Sequence, residues 1–254
     1  AVLACHEAGW DARLCEKAES FGEVGAGIQL GPNVVRVLES WGLKNALGRV
    51  AAFPDRLQVR DALSGRELGV LPLGQRAVEK YGAPYLTIHR ADMHTLLLDA
   101  ARAVAGGALK TGCWLQNFSE SDSGVLVQLT DGLEIETDVL VGADGLWSRV
   151  RQVMLNDGPP RVTGHLAFRA MLPQRDLPER LRSQQVTAWL GPDLHVVQYP
   201  VRGGAWLNVV AIVHGRVERE LESWDHGTNA SELQATMGLC CSPLRDLIVA
   251  VPSW

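Results

Sequence analysis

Two side chains in the C-terminal part of the chain, His195 and Tyr199, have the types and spacing for acid–base chemistry. They lie at positions i and i+4 of the apolar run HVVQYPV, so in a strand both face the same side, with Val197 between them. At about 3.3 Å per residue their Cα atoms stand roughly 13 Å apart, too far for a direct hydrogen bond. A histidine and a tyrosine on one wall suit binding and deprotonation of a phenol. The alternative is a tyrosine packed in the sheet and a histidine at its rim.

Two carboxylates occupy positions that suit a nucleotide. Glu16 ends a short strand predicted over residues 11–16, where a dinucleotide-binding fold places the carboxylate that accepts hydrogen bonds from the adenosine ribose. Asp144 follows the apolar run 139–141, which we predict as a buried parallel strand, and ligands of open α/β sheets bind at the carboxyl ends of such strands. Gly145 would let a ligand approach closely. The simpler alternatives are a surface glutamate and a loop aspartate that caps the next helix.

A glycine-rich stretch, residues 22–31, does not fit the phosphate-binding pattern G-x-G-x-x-G. After Gly25 and Gly27 the third glycine position is Leu30, and no clear strand precedes Gly25. Glycines also let a backbone pass close to a flat ring, which is the role that we expect here. Arg90 directly precedes a long predicted helix, where its planar guanidinium could reach a diphosphate or a ring edge. The alternative is a helix-entry residue that pairs with Asp92 or with water.

Hydrophobic periodicity and turn signals divide the chain into two regions with different elements. The first, residues 1–155, contains a helix ended by Gly9, a helix between Pro32 and Gly42, a hairpin near 56–70, a helix over 88–104 and two or three short strands over 113–136. The second, residues 156–254, is rich in strands over 162–214, with weaker helices after them. We therefore predict an α/β fold with α+β elements: a Rossmann-like parallel sheet over 1–155 and a mixed or antiparallel β-sheet domain over 156–254.

Composition excludes several classes of partner. The 254 residues carry a net charge of −5, which argues against nucleic acid and anionic membranes as partners, and no apolar run approaches the ~20 residues of a membrane helix. The five cysteines lack C-x-x-C spacing and the seven histidines are dispersed, so we expect no metal site and reduced thiols in a cytoplasmic protein.

Four stretches together resemble one known family. EKAESFGEVGAGIQLGPNVVRVLESWGL, IHRADMHTLLL, LVGADGLWSRVR and HVVQYPVRGG resemble the FAD-dependent aromatic-ring monooxygenases, in the branch of salicylate hydroxylase and 3-hydroxybenzoate 6-hydroxylase. The resemblance covers nearly the whole chain. It implies that NADH or NADPH reduces FAD, that O₂ adds to the reduced flavin, and that the resulting hydroperoxide hydroxylates a small phenolic aromatic acid. We expect a monomer or a homodimer.

The resemblance also assigns roles to individual residues. Glu16 would hold the adenosine ribose with Lys17 beside it, and Arg90 would contact the cofactor. The further residues that it implies at the cofactor are Gly27, Ile28, Gln29, Asp144 and Gly145. Asp144 would belong to a motif shared between FAD and NAD(P)H. His195 and Tyr199 match the pair that faces the aromatic substrate and would ionise it.

Two parts of the family pattern are missing from this sequence. The family's phosphate-binding loop should lie upstream of Glu16, where this sequence does not contain it. The family's Gly-Asp motif is absent as well. We therefore expect an internal fragment that lacks both ends. Two other functions stay open: a flavoprotein of the same fold that acts on a non-aromatic substrate, and a non-catalytic, truncated FAD-binding chain. A dehydrogenase that uses nicotinamide alone leaves the second sheet and the GAGIQLGPN stretch without a role.

Overall fold

A computed structural model describes residues 1–22, 25–215, 230–252 and 254 of the chain. Its helices are α1 Val2–Glu7, α2 Pro32–Ser40, α3 Lys44–Val50, α4 Gly74–Tyr81, α5 Arg90–Ala105, α6 Arg149–Leu155, α7 Ala230–Met237 and α8 Ser242–Val249. Its strands are β1 Leu14–Cys15, β2 Gly27–Leu30, β3 Arg56–Asp61, β4 Glu67–Pro72, β5 Leu86–His89, β6 Leu109–Lys110, β7 Leu115–Ser121, β8 Gly124–Leu129, β9 Glu134–Thr137, β10 His165–Pro173, β11 Val186–Leu190, β12 Leu194–Val201 and β13 Trp206–His214.

The chain forms two compact units, each built from two segments. The first unit contains residues 1–22 and 97–161, and the second contains residues 23–96 and 162–254. This division groups residues by compactness and assigns no function. It stays a prediction that residues 1–155 act as the FAD-binding domain and residues 156–254 as the substrate-binding domain.

The first unit contains the parallel strand pair and a small antiparallel sheet. β1 pairs in parallel with β6, and β7, β8 and β9 form an antiparallel sheet in that order. The core of this sheet is small: Cys113, Val127 and Leu129 are buried, with partly buried apolar side chains around them. Glu16, the carboxylate predicted to bind the ribose, directly follows the carboxyl end of β1.

The second unit is built on a six-stranded mixed sheet with the order β10-β13-β12-β11-β3-β4. Only the β11–β3 pair is parallel among its strand pairs. Side chains alternate between the faces of a strand, and in β12 the residues Leu194 and Val196 join the main hydrophobic core, to which α7 and α8 also contribute Leu233 and Leu244. His195 lies on the opposite face. A separate antiparallel pair, β2 with β5, belongs to the same unit.

Most predicted elements are confirmed. The helix between Pro32 and Gly42 is α2, and Gly42 adopts a φ of 76° just past its end. The hairpin predicted near 56–70 is β3 with β4. The four strands over 165–214 pair antiparallel, as predicted for this region, and β11 joins them in parallel to β3, which makes one mixed sheet. The α/β fold class is therefore confirmed, with a parallel pair in one unit and a mixed sheet in the other.

The buried strand predicted at 139–141 is wrong. Residues 139–144 have neither helix nor strand assignment, and Val139 and Val141 are 50% and 60% exposed. A strand needs a neighbour to satisfy its backbone N–H and C=O groups, and within the described ranges no strand pairs with this run. The same requirement shortens the strand predicted at 11–16 to Leu14–Cys15, because those two residues find partners in β6.

No helix in the described ranges is long and apolar enough to span a membrane. In the same part of the chain, no group of three or more His, Cys, Asp or Glu side chains is arranged to hold a metal ion.

Candidate functional site

Glu16 follows the parallel strand β1 and extends its ladder. The Glu16 N–H donates to the Lys110 carbonyl at 2.9 Å, and the Cys113 N–H donates to the Glu16 carbonyl at 3.1 Å. The half-buried carboxylate accepts a hydrogen bond from the Ala18 N–H at 2.9 Å, while Lys17 is exposed. An oriented carboxylate at the carboxyl end of a parallel strand is the arrangement that ribose binding needs.

Asp144 caps helix α6. One carboxylate oxygen accepts hydrogen bonds from the N–H groups of Arg149, at 2.7 Å, and Val150, at 3.1 Å, and the other accepts one from the Ser148 hydroxyl at 2.5 Å. Burial raises the pKa of Asp144, but the hydrogen bonds from Ser148, Val150 and Arg149 outweigh it and hold the pKa below its ordinary value. Capping thus gives Asp144 a structural role, and its contact with FAD stays a prediction.

The two glycines around Asp144 also have structural causes. A Cβ on Gly142 would lie 2.8 Å from the Val150 Cβ, so a side chain there would push the loop off α6. Gly145 has open space around it but adopts a φ of +77°, a conformation that other L residues rarely take. The Gly-Ala-Asp-Gly sequence therefore has the residues needed to fold a tight loop onto the start of α6.

Gly27 lies against the six-stranded sheet. A Cβ on Gly27 would come within 2.5 Å of Tyr199 Cε2 and within 3.1 Å of both Asn208 Cγ and Val201 Cγ1. The Gly27 N–H donates to Asn208 Oδ1 at 2.7 Å. The next residue, Ile28, is 38% exposed. Because Gly27 has no Cβ, one side of β2 packs directly against the sheet. The other side, at Ile28, faces outward.

A chain of polar contacts holds the segment before Gly27. His89 Nε2 lies 3.0 Å from the Gly25 carbonyl, which can only accept, so this nitrogen carries the ring proton. His89 Nδ1 then accepts from Arg202 Nη2 at 3.4 Å. The Arg202 guanidinium also donates to both carboxylate oxygens of Asp92, at 3.1 and 3.2 Å. Asp92 therefore pairs with Arg202.

The remaining predicted cofactor residues of the second unit also pack around this segment. The Arg90 N–H donates to the Ala26 carbonyl at 3.0 Å, and a Cβ on Gly25 would lie 3.2 Å from Arg90 Cβ. Gln29 accepts a hydrogen bond from the Tyr85 hydroxyl. Arg90 is thus adjacent to the glycine segment, as a shared contact with a ligand would require.

Tyr199 and His195 share the face of the sheet that is opposite the main core. Tyr199 is only 4% exposed and packs in a small cluster with Val186 and Val201, whereas His195 is half-buried. Burial, helped by the neighbouring Tyr85 and opposed by Arg169, raises the pKa of Tyr199 to about 12. The Tyr199 phenol is therefore a hydrogen-bond donor at neutral pH.

Two residues near Tyr199 were not singled out from the sequence. Asn208 pairs with Tyr199 in the β12–β13 register and is 0% exposed. Arg169 is exposed on β10 and acts electrostatically on Tyr199. The signal for Asn208 was present: it is the polar residue inside the apolar strand AWLNVVAIV, and buried polar groups need a partner. No comparable signal marks Arg169, since the strand alternation shows only that it shares a face with Met171.

Within each compact unit, the predicted cofactor residues suit one part of FAD. In the first unit Glu16 offers an oriented acceptor for ribose hydroxyls. In the second unit the Arg90 side chain begins beside Gly25, and Ile28 on the outward side of β2 is exposed. Each compact unit carries part of this set: Glu16, Lys17, Asp144 and Gly145 in the first, and Gly27, Ile28, Gln29 and Arg90 in the second.

Comparison with known proteins agrees with this fit. Residues 2–235 match the FAD binding domain family. The chain is 40% identical over 210 residues to 3-hydroxybenzoate 6-hydroxylase 1 of Aquipseudomonas alcaligenes, covering 83% of this chain and 53% of that protein. It is 34% identical over 256 residues to 3-hydroxybenzoate 6-hydroxylase of Polaromonas naphthalenivorans, covering 100% of this chain and 63% of that protein. The chain thus spans less than two thirds of the length of either relative.

Solved structures show the same fold. HpxO of Klebsiella pneumoniae, complexed with FAD and uric acid, superposes with a TM-score of 0.81 at 24% identity, over 99% of this chain and 62% of that chain. A salicylate hydroxylase substrate complex superposes with a TM-score of 0.71 at 22% identity, over 90% of this chain and 59% of that one. The match over residues 2–235 settles the family: the chain belongs to the FAD binding domain family, whose cofactor is FAD.

Proposed function

We propose that the protein is a flavoprotein monooxygenase that hydroxylates a small phenolic aromatic acid, of the salicylate or 3-hydroxybenzoate type, with NADH or NADPH and O₂. The observation that carries the proposal is the packing of Tyr199 on Gly27, where the missing Cβ would lie 2.5 Å from the tyrosine ring. The strand expected to face the substrate and the strand expected to face the flavin thus touch each other. A ring bound on this sheet face would lie beside the cofactor.

The chain's own residues would bind and ionise the substrate. Bound FAD would accept electrons from NAD(P)H and activate O₂. His195, half-buried on the same face as Tyr199, would take the phenol proton, because imidazole is the usual general base near neutral pH. Tyr199, with a pKa of about 12, would stay protonated and donate a hydrogen bond to a substrate oxygen. Stabilising the phenolate in this way makes the aromatic ring more nucleophilic.

The surroundings of Tyr199 suit an aromatic anion. Val197 and Val210 are register partners on the same sheet face and offer apolar contact to a ring. Arg169 pairs with Val210 from the other side, so it adds a positive charge on the same face. Apolar walls exclude water, and the guanidinium favours a carboxylate. This combination supports a small aromatic acid over a neutral or cationic substrate.

The test measures NADH and NADPH oxidation, O₂ uptake and product in the intact protein with salicylate, 3-hydroxybenzoate and benzoate. We expect a phenolic acid to stimulate oxidation and to be hydroxylated, while benzoate, which lacks the phenol, gives little product. Tyr199→Phe should lower the yield of product per NAD(P)H oxidised, and His195→Gln should lower the hydroxylation rate. Unchanged rate and coupling in Tyr199→Phe would remove that residue from the mechanism.

Two outcomes would replace the proposal. If no aromatic acid stimulates oxidation but FAD is retained, a flavoprotein of the same fold acting on a non-aromatic substrate is favoured. If the protein neither retains FAD nor oxidises NAD(P)H, a non-catalytic chain is favoured.

A cytoplasmic location is also part of the proposal, supported by the five cysteines, all of which are free thiols. A monomer or homodimer remains the expected assembly.

A further inference from the structure

Asn208 is a buried amide of which only one of the two polar atoms is hydrogen-bonded among the described residues. It is 0% exposed, its Oδ1 accepts from the Gly27 N–H at 2.7 Å, and its Nδ2 finds no partner among the described residues. A buried, unsatisfied donor is costly. The unsatisfied Nδ2 group lies where β2 meets the sheet. Because its burial costs free energy, its presence there indicates that the Oδ1 contact with Gly27 is needed.

The geometry of β2 explains why Gly27 needs a side-chain acceptor. The Arg90 N–H bonds to the Ala26 carbonyl, so the next pair in the β2–β5 register, Gly27 with His89, is a non-hydrogen-bonded pair. The Gly27 N–H therefore points away from β5 and has no ladder partner. Asn208 supplies the acceptor from β13, the strand that also pairs with Tyr199.

Few other side chains could do this. The Gly27 N–H already lies 2.7 Å from Asn208 Oδ1 and Asn208 is fully buried, so there is little room for a longer side chain such as glutamine. A leucine would have a similar volume but no acceptor. An aspartate would keep the acceptor, because a carboxyl group in this fully buried position is held in its neutral form and its carbonyl oxygen can still accept from Gly27.

We propose that Asn208 is a positioning residue that sets the spacing between the flavin-facing strand β2 and Tyr199. Its Oδ1 holds Gly27 while its backbone, in register with Tyr199, fixes the distance to the tyrosine ring. The inference rests on the proposed function in taking β2 as the flavin-facing strand. It assigns Asn208 no contact with FAD or substrate.

The test compares Asn208→Leu with Asn208→Asp in the intact protein. Two quantities are measured: the hydrogen-exchange rate of the Gly27 amide without ligand, and the dissociation constant for FAD. We expect Asn208→Leu to raise both by about two- to tenfold, the factor that one net hydrogen bond contributes. Asn208→Asp, which keeps the acceptor, should restore Gly27 protection and FAD affinity towards the wild-type values.

Gln198→Leu is the matched control. Gln198 is a buried amide in β12 whose Oε1 accepts from Trp189 Nε1 at 3.2 Å, and its alternate position in the strand places it on the opposite face from Tyr199. Its loss also removes a buried acceptor, but it should leave Gly27 exchange and FAD affinity unchanged. If Asn208→Leu does not fold, Asn208→Ser, which is too short to reach Gly27, is measured by the same criteria.

Three results would overturn the inference. The first is unchanged Gly27 exchange and FAD affinity in the leucine variant. The second is FAD affinity that falls equally in both Asn208 variants while Gly27 stays protected in Asn208→Asp, which would make Nδ2 a ligand donor. The third is the same loosening in Gln198→Leu. None of these readouts needs a substrate, so an absence of hydroxylation would contradict the proposed function and leave the role of Asn208 intact.

Discussion

Two glycine-containing segments, Gly142–Gly145 and Gly25–Gly27, look alike in the sequence but are held in different ways. The Asp144 carboxylate bonds only four to six residues along the chain, to Ser148, Arg149 and Val150. Gly27 bonds to Asn208, which is 181 residues away. The first segment is a local cap that folds with its own helix. The second depends on the assembly of a distant sheet, so substitutions there should have larger and less local effects.

The largest expected effect is that of Gly27→Ala. Its Cβ would lie 2.5 Å from Tyr199 Cε2, so β2 or the tyrosine must move, and overpacking of this kind costs about 1–3 kcal/mol. We expect this loss in the free energy of unfolding, measured by denaturant titration, together with weaker FAD binding.

Gly69→Ala is the matched control for that substitution. Gly69 also lies in a strand, β4, but a Cβ there would meet nothing within 4 Å, so stability and FAD affinity should hardly change. If Gly27→Ala behaves like Gly69→Ala, the packing of Tyr199 on Gly27 is not as close as the structure has it, and the difference between the two segments loses its main support.

This contrast also explains how far the sequence could predict the structure. Pro32 and Gly42 bounded α2 correctly because their backbone preferences act locally. The alternation of β12 correctly placed His195 and Tyr199 on one face. The run 139–141 was predicted as a strand because it is apolar, but strand formation depends on a partner that a local pattern does not reveal. Asn208 could have been noticed as a polar residue inside an apolar strand, but its partner could not, because Gly27 is 181 residues away in the chain.

Alkaline titration tests the burial of Tyr85 and Tyr199. Burial raises the pKa of both Tyr85 and Tyr199 to about 12, above the ordinary tyrosine value of about 10. Because the native state favours the protonated phenols, their contribution to stability is complete below about pH 10 and is lost as the pH rises towards about 12. Phenolate absorbance of the folded protein should therefore show two late-titrating groups, one of which disappears in Tyr199→Phe. Ionisation of both near pH 10 would mean that Tyr199 is open to water.

The smallest expected effect is that of Asp144→Ala. Loss of a capping side chain costs about 0.5–2 kcal/mol, and because the Asp144 contacts are local, the change should be confined to faster hydrogen exchange in α6, Arg149–Leu155. Asp157→Ala is the control. Asp157 is another exposed acidic residue, which lies beyond the end of α6 and pairs with Arg151. FAD affinity decides whether Asp144 does more than cap: a weaker affinity with α6 still protected would support the predicted cofactor contact.

The pH dependence of this substitution separates a charged cap from simple packing. The hydrogen bonds hold the pKa of Asp144 below its ordinary value, so its contribution to stability is present above the ordinary carboxyl value of about 3.9 and is lost as the pH falls through the lowered native value. The stability difference between wild type and Asp144→Ala should therefore shrink at acid pH. The difference caused by Gly27→Ala should persist over the same range, because a steric clash with a neutral phenol does not titrate there. A pH-independent Asp144→Ala difference would mean that the carboxylate charge contributes nothing to the cap.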